Sequence, residues 1–273
     1  QNLLIYYINK FYQDKNFLNG FIELIKDCNK TILNIYNDDF NITYKDDKSP
    51  LTNADLESNK LIFNYLNLLN KNLKEITGEN FCIISEENKN DSYELRKNIR
   101  YTWLVDPIDG TKEFLKKNGQ FTVNIGLCDN GIPIFGIVSI PVSGDIYYGI
   151  EGMGSRKLIG NFIKKILEIN NKDLNKEGLK IVASSSHMNE DTEKFIEQYN
   201  NPSLINIGSS IKLLYIAENK ADIYPRYALT SEWDTCAAHA VVKYAGGNVI
   251  DVNTKEELKY NKENILNPYF LVY

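Results

Sequence analysis

Residues 103–111 have the sequence Trp-Leu-Val-Asp-Pro-Ile-Asp-Gly-Thr, and this stretch is the most informative part of the chain for its fold and function. An apolar run typical of a buried strand ends at Asp106, and the proline after it favours a turn. Asp106 and Asp109 can point the same way across that turn. Thr111 can begin a helix, whose free N–H groups suit a phosphate. The stretch alone therefore predicts a turn that binds a metal and a phosphate.

Three further acidic residues lie at the predicted ends of other elements. Glu86 follows a short apolar strand, Asp55 lies at the start of a helix, and Asp234 opens another helix. Taken singly, Asp55 and Asp234 are more often helix caps than metal ligands. Together with residues 103–111, however, these carboxylates form an oxygen-rich set with no surplus of histidine or cysteine nearby. Such a set selects hard cations, of which magnesium is the default.

Length and charge exclude several classes of protein. The chain has 273 residues and a formal net charge of −5, from 31 basic and 36 acidic residues. This charge disfavours a nucleic-acid polymer as partner, and the apolar runs are too short to span a membrane. The four scattered cysteines are typical of reduced core residues, and the N-terminus lacks the pattern of a secretory signal. We therefore expect a cytoplasmic protein.

The periodicity of apolar residues predicts two different halves. Helices are predicted at residues 17–36 and from residue 52 onward, and strands follow up to about residue 150, with Asn130-Gly131 as a hairpin turn. Beyond residue 155, strands and helices alternate. We predict an α/β protein with an N-terminal extension (1–16), a metal-binding α+β subdomain (17–155) and an α/β subdomain (156–273) that completes the site.

Two signatures resemble the inositol monophosphatase superfamily of magnesium-dependent, lithium-sensitive phosphatases. They are residues 103–111 and the run Trp-Asp-Thr-Cys-Ala-Ala-His-Ala at 233–240. Within the superfamily, the chain most resembles the bacterial 3'(2'),5'-bisphosphate nucleotidases in Asp-Gly-Thr-Lys-Glu-Phe at 109–114, Asn-Gly-Gln-Phe-Thr-Val-Asn-Ile at 118–125 and Ile-Gly-Ser-Ser-Ile-Lys at 207–212. The pair Lys112-Glu113 separates it from inositol monophosphatases, which usually carry other residues there.

The resemblance implies a fold, a cofactor and residue roles. The implied fold is a layered α/β/α/β/α sandwich, the sugar-phosphatase fold, and the implied cofactor is two or three Mg²⁺ ions per active site. The implied metal ligands are Glu86, Asp106, the carbonyl of Ile108, Asp109 and Asp234. The implied catalytic residues are Asp55, Glu86 and Thr111. The implied substrate contacts are Asp109, Gly110, Thr111, Lys112, His187, Ser210, Lys212, Arg226 and Asp234.

The resulting hypothesis is hydrolysis of the 3'-phosphate of adenosine 3',5'-bisphosphate to AMP and phosphate by in-line attack of water. This reaction clears a by-product of sulfate assimilation or sulfotransfer. The alternatives are an inositol or sugar phosphatase and a catalytically silent nucleotide-binding sensor. A small nucleotide bisphosphate is thus the expected partner. The choice between monomer and homodimer stays open, as does the choice between adenosine bisphosphate and its sulfated analogue.

Overall fold

The chain folds into stacked layers, and the computed structural model describes residues 4, 6, 16–160, 163–184 and 187–273. The extension predicted at residues 1–16 lies outside the described residues except for Leu4, Tyr6 and Asn16. In chain order the elements are α1 (Asn16–Asn37), β1 (Ile42–Tyr44), β2 (Pro50–Thr52), α2 (Asn53–Thr77), β3 (Phe81–Ser85), α3 (Tyr93–Arg96), β4 (Tyr101–Asp109), α4 (Thr111–Leu115), β5 (Thr122–Asp129), β6 (Ile132–Ile140), β7 (Asp145–Ile150), β8 (Gly154–Ile159), β9 (Ile163–Leu167), β10 (Lys180–Ala183), α5 (Glu190–Glu197), β11 (Ser203–Asn206), α6 (Ile211–Ala217), β12 (Tyr224–Arg226), α7 (Glu232–Tyr244), β13 (Val249–Asp251) and β14 (Phe270–Val272).

A seven-stranded sheet in the order β3-β4-β5-β6-β7-β8-β9 forms the larger layer. Its strands pair antiparallel except β3 and β4, which run parallel. The predicted hairpin at Asn130-Gly131 is confirmed, because both residues have positive φ (47° and 80°) and connect β5 to β6. A primed turn of this kind matches the right-handed twist of the strands it joins.

Helices α1 and α2 cover one face of this sheet, as their apolar periodicity predicts. The ring of Phe21 on α1 lies 5.0 Å from Phe135 of β6 and 5.5 Å from Trp103 of β4, measured between ring centroids. Large aromatic side chains of this kind contribute much of the energy of a core. The predicted helix at 17–36 agrees with α1 to within one residue at each end, and Thr52 caps α2.

The opposite face of the sheet packs against α6 and α7, and beyond them lie a second sheet and α5. In that second sheet β12, β14 and β13 pair antiparallel, and Ile223 bridges to Ile181 of the parallel pair β10–β11. Glycines on the large sheet let α7 approach closely: a Cβ on Gly136 would lie 2.2 Å from the carbonyl oxygen of Ala237. The layers therefore follow the order α/β/α/β/α, which confirms the predicted fold.

One sequence expectation differs from the structure. The turn expected at Pro107 is instead an irregular continuation of β4 to Asp109, since a register shift between Asp106 and Asp109 accommodates the proline. The large sheet continues past residue 155 through β8 and β9 to Leu167. The division into subdomains between residues 155 and 156 stays a prediction.

The cysteine and membrane expectations were drawn from composition. All four cysteines are free and buried, in agreement with the expectation of core thiols. Across the described ranges, no helix has the length and the apolar character needed to cross a bilayer.

The close approach of α7 to the sheet generates a stability prediction. We expect Gly136→Ala to lower the free energy of unfolding by about 3 kcal/mol, because the new methyl group would overlap backbone that cannot move independently. The control is Gly78→Ala, because a Cβ at Gly78 would have no atom within 4 Å. We expect this variant to lose about 1 kcal/mol of unfolding free energy, which comes only from the positive φ of 73°. Denaturant unfolding measures both, and an equal or smaller loss for Gly136→Ala would contradict the packing argument.

Candidate active site

Four carboxylates converge where β3, β4 and α7 meet. The register of the parallel pair aligns Ser85 with Val105, so Glu86 and Asp106, the next residue on each strand, emerge side by side. The two carboxyl groups lie close enough for the negative charge of Glu86 to raise the pKa of Asp106. Asp109 follows on the irregular part of β4, and Asp234 comes from the first turn of α7. Carboxylate oxygens of Asp106, Asp109 and Asp234 all lie within 4.8 Å of one another.

Burial and mutual repulsion raise the pKa values of this acid cluster (Glu86, Asp106, Asp109 and Asp234). Burial and the neighbouring Asp234 raise the pKa of Asp109 to about 7. Burial and Glu86 raise the pKa of Asp234 to about 6. Asp106 is 1% exposed, and its Oδ2 atom has no hydrogen-bond partner among the described residues. The arrangement thus concentrates negative charge in a buried place, which is favourable when cations bind there.

Asp55 and Thr111 form a hydrogen-bonded pair beside the acid cluster. The Oγ1 atom of Thr111 donates to Oδ1 of Asp55 over 2.9 Å. The other oxygen of Asp55 accepts from the backbone N–H and the hydroxyl of Thr52, at 2.9 and 2.7 Å. Asp55 is therefore both a helix cap and a neighbour of Thr111. The same holds for Asp234, which accepts from the backbone N–H of Ser231 over 2.7 Å and also belongs to the acid cluster.

Two buried cations face the acid cluster across the cavity. Lys212 is 5% exposed and Arg226 is 7% exposed, so neither is an ordinary surface side chain. Burial and the nearby Arg226 lower the pKa of Lys212 to about 8. Within the described part of the chain, the Nε atom of Arg226 has no hydrogen-bond partner. Unpaired donors on a buried guanidinium are well suited to an anionic ligand.

A cavity of about 270 Å³ joins these groups. Its lining brings together most of the residues expected to hold metal or substrate, namely Glu86, Asp106, Ile108, Asp109, Gly110, Thr111, Lys112, His187, Ser210, Lys212, Arg226 and Asp234. Asp55 lies behind Thr111 rather than on the cavity surface. Burial and the positive charges of Arg226 and Lys212 lower the pKa of His187 to about 4, so its ring is neutral at pH 7.

One neighbour of the site was missed by sequence reasoning. This neighbour is Lys45, which pairs over 2.7 Å with Glu87, whose side chain is 5% exposed. Lys45 also lies 3.3 Å from Glu86. Lys45 follows β1, whose pairing with β2 positions it at the acid cluster. No local pattern predicts this contact, because it depends on a three-residue strand pairing that carries almost no sequence signal.

Comparison with known proteins gives the family. The sequence model of the inositol monophosphatase family matches residues 13–269. The chain is 34% identical to the 3'(2'),5'-bisphosphate nucleotidase CysQ of Salmonella typhimurium, over 92% of this chain and 96% of that protein. It is 36% identical to the CysQ nucleotidase of Buchnera aphidicola, over 86% of this chain and 84% of that protein.

A solved structure agrees with this relationship. The crystal structure of CysQ from Bacteroides thetaiotaomicron, described as a bacterial member of the inositol monophosphatase family, superimposes with a TM-score of 0.76 at 36% identity. The match covers 93% of this chain and 96% of that one. Enzymes of this family are metal-dependent phosphatases, generally with Mg²⁺. The family model, the sequence identities and the shared fold agree, and the chain belongs to the inositol monophosphatase family.

Proposed function

We propose that this chain is a magnesium-dependent phosphatase that removes the 3'-phosphate of adenosine 3',5'-bisphosphate, leaving AMP and phosphate. One observation carries the proposal: an acid cluster suited to cations and two buried cationic side chains, Lys212 and Arg226, line the same cavity. A substrate with two phosphates can place one phosphate at the acid cluster, where cations bind, and the other at the two cationic side chains. The names of the CysQ relatives support the same substrate class.

The donor set of the acid cluster fits magnesium. Its donors are all oxygen atoms, and the buried Oδ2 of Asp106 is left without a protein partner among the described residues. We assign Glu86, Asp106 and the carbonyl of Ile108 to one ion. Asp106, Asp109 and Asp234 are assigned to a second. When bound, the ions neutralise the charge of the phosphate oxygens and lower the pKa of water.

The protein supplies the proton acceptor for the attacking water. The Thr111 hydroxyl is oriented by its hydrogen bond to Asp55, and Asp55 is in turn held by Thr52. In this arrangement Thr111 positions the water and passes its proton toward Asp55, with Glu86 assisting from the opposite side. The water oxygen forms the new bond to phosphorus as the bond to the 3'-oxygen breaks, and the 3'-oxygen leaves with a proton as the ribose hydroxyl. No group on the protein is covalently modified.

The opposite wall determines the substrate in this proposal. Arg226 offers a planar pair of donors to the phosphate that is not cleaved, and Lys212 adds a point charge. Both are buried, so leaving them unpaired is costly. The neutral His187 ring can contact the nucleotide without adding charge, and Lys112 and Ser210 lie on the same surface. An inositol monophosphate has a single phosphate and would leave this wall without its anion, so it is the less favoured substrate.

Asp109→Asn tests the metal assignment through activity and stability together. We expect kcat for adenosine 3',5'-bisphosphate to fall by about three orders of magnitude or more, since the metals supply most of the electrostatic stabilisation. The metal-free variant should be more stable than the metal-free wild type at pH 8. Asp109 has a raised pKa, so keeping it ionised above about pH 7 costs folding energy that asparagine avoids.

We expect the midpoint of thermal unfolding of Asp109→Asn in EDTA to exceed the wild-type value by about 2 °C or more. Adding magnesium should raise the midpoint of the wild type more than that of the variant, which keeps the ligands of the first ion but loses one ligand of the second. Near-normal turnover in this variant would contradict the metal assignment, whatever the unfolding data show.

Arg226→Ala tests the substrate assignment. We expect kcat/KM for adenosine 3',5'-bisphosphate to fall about 100-fold, because a charged donor to the retained phosphate is lost. Turnover of a small ester such as p-nitrophenyl phosphate should change much less. The control is Arg100→Ala, which removes a guanidinium that pairs with Asp129 away from the cavity. Equal losses on both substrates in Arg226→Ala would exclude a role in binding the second phosphate.

A further inference from the structure

The turn at residues 208–210 connects the two walls of the cavity. The backbone N–H of Gly208 donates to the Oε1 atom of Gln120 over 2.8 Å. The backbone N–H of Ser210 donates to Oδ2 of Asp109 over 2.5 Å, and its hydroxyl donates to Oδ1 of Asn124 over 2.8 Å. This segment, named here the 208–210 turn, belongs to the second half of the chain. Of these three partners, Asp109 and Asn124 lie on β4 and β5 of the large sheet, and Gln120 lies in the loop before β5.

The conformation of the 208–210 turn requires support from its surroundings. Ser209 has a φ of 53°, in the left-handed region that residues with a side chain rarely adopt. Such a conformation persists where neighbouring contacts over-determine it. The hydrogen bond to Gln120 precedes Ser209 and the bond to Asp109 follows it, so the two bonds hold the strained residue from both sides.

The 208–210 turn packs closely against the side chains of Glu113 and Gln120. A Cβ on Gly208 would lie 2.9 Å from Cγ of Glu113 and 3.2 Å from Oε1 of Gln120. Gly208 therefore packs directly against these two side chains. Glu113 is one of the two residues that distinguish the chain from inositol monophosphatases, and this contact gives it a packing role. Gln120 does not line the cavity, so its contact acts on the turn rather than on a ligand.

The 208–210 turn lies between the acid cluster on one wall of the cavity and Lys212 on the other. It lies immediately before α6, whose second residue is Lys212, and it contacts Asp109 of the acid cluster. We propose that Gln120 is a positioning residue for substrate specificity. Its amide oxygen holds the 208–210 turn against the metal-binding half by a hydrogen bond, and this bond fixes the distance from the acid cluster to Lys212. The inference rests on the proposed function, because a substrate with two phosphates must span that distance while a small ester need not.

Kinetics of two matched variants test this role. Gln120→Met keeps the length of the side chain and removes the amide oxygen, whereas Gln120→Glu keeps an oxygen acceptor. We expect Gln120→Met to raise KM for adenosine 3',5'-bisphosphate about fivefold, the effect of one lost hydrogen bond. Its kcat/KM for p-nitrophenyl phosphate should stay within about twofold of wild type. Gln120→Glu should restore KM to near the wild-type value.

A second variant and a stability measurement separate positioning from folding. Gly208→Ala displaces the turn at the same contact, because the new methyl group would press against Glu113 and Gln120. We expect it also to raise KM for the bisphosphate more than for the small ester. Thermal unfolding of each variant shows whether it is as fully folded as the wild type under the conditions of the kinetic measurements. Equal losses on both substrates, or an unchanged KM in Gln120→Met with an active wild type, would overturn the role of Gln120 alone. A wild type that releases no phosphate from the bisphosphate would overturn the proposed function and this role with it.

Discussion

The mutual repulsion of four closely spaced carboxylates is the constraint around which this structure is organised. Glu86 and Asp106 are neighbours because the parallel strands β3 and β4 pair in register up to Ser85 and Val105, while Asp234 is delivered by the first turn of a helix that packs on the same sheet. Asp106 is fully buried, and burial and mutual repulsion raise the pKa values of Asp106 and Asp109. We propose that this costly arrangement persists because divalent cations bind there, in which case metal binding and folding are linked.

In the proposed function, the second wall of the cavity gives the site its selectivity. Lys212 and Arg226 are buried, and their positive charges partly offset the rise in the pKa of Asp109. The cationic wall comes from the second half of the chain, whereas the acid cluster combines Glu86, Asp106 and Asp109 of the first half with Asp234 of the second. Their alignment depends on close contacts that leave little room for extra atoms, such as Gly136 against α7 and Gly208 against Glu113. We therefore infer that specificity for a doubly phosphorylated substrate depends on how the two halves pack.

Much of the fold was predictable from local sequence, and the reasons are specific. The spacing of apolar residues gave α1 and α2, and Asn130-Gly131 gave the β5–β6 hairpin. The acid cluster was also predictable, because each acid follows a strand or opens a helix. What the sequence does not encode locally is contact between distant short elements. Lys45 reaches Glu86 through a three-residue strand pairing, and β8 and β9 lack a strong alternating apolar pattern, so their place in the large sheet was not predicted.

The central claim is that the acid cluster binds magnesium for hydrolysis of a nucleotide bisphosphate. It is tested most directly by measuring phosphate release by the wild-type protein from adenosine 3',5'-bisphosphate, inositol 1-phosphate and fructose 1,6-bisphosphate, each with magnesium and with EDTA. The account predicts magnesium-dependent release with the highest kcat/KM for the adenosine bisphosphate, and none with EDTA. Release that persists in EDTA, or a higher kcat/KM for inositol 1-phosphate, would contradict it.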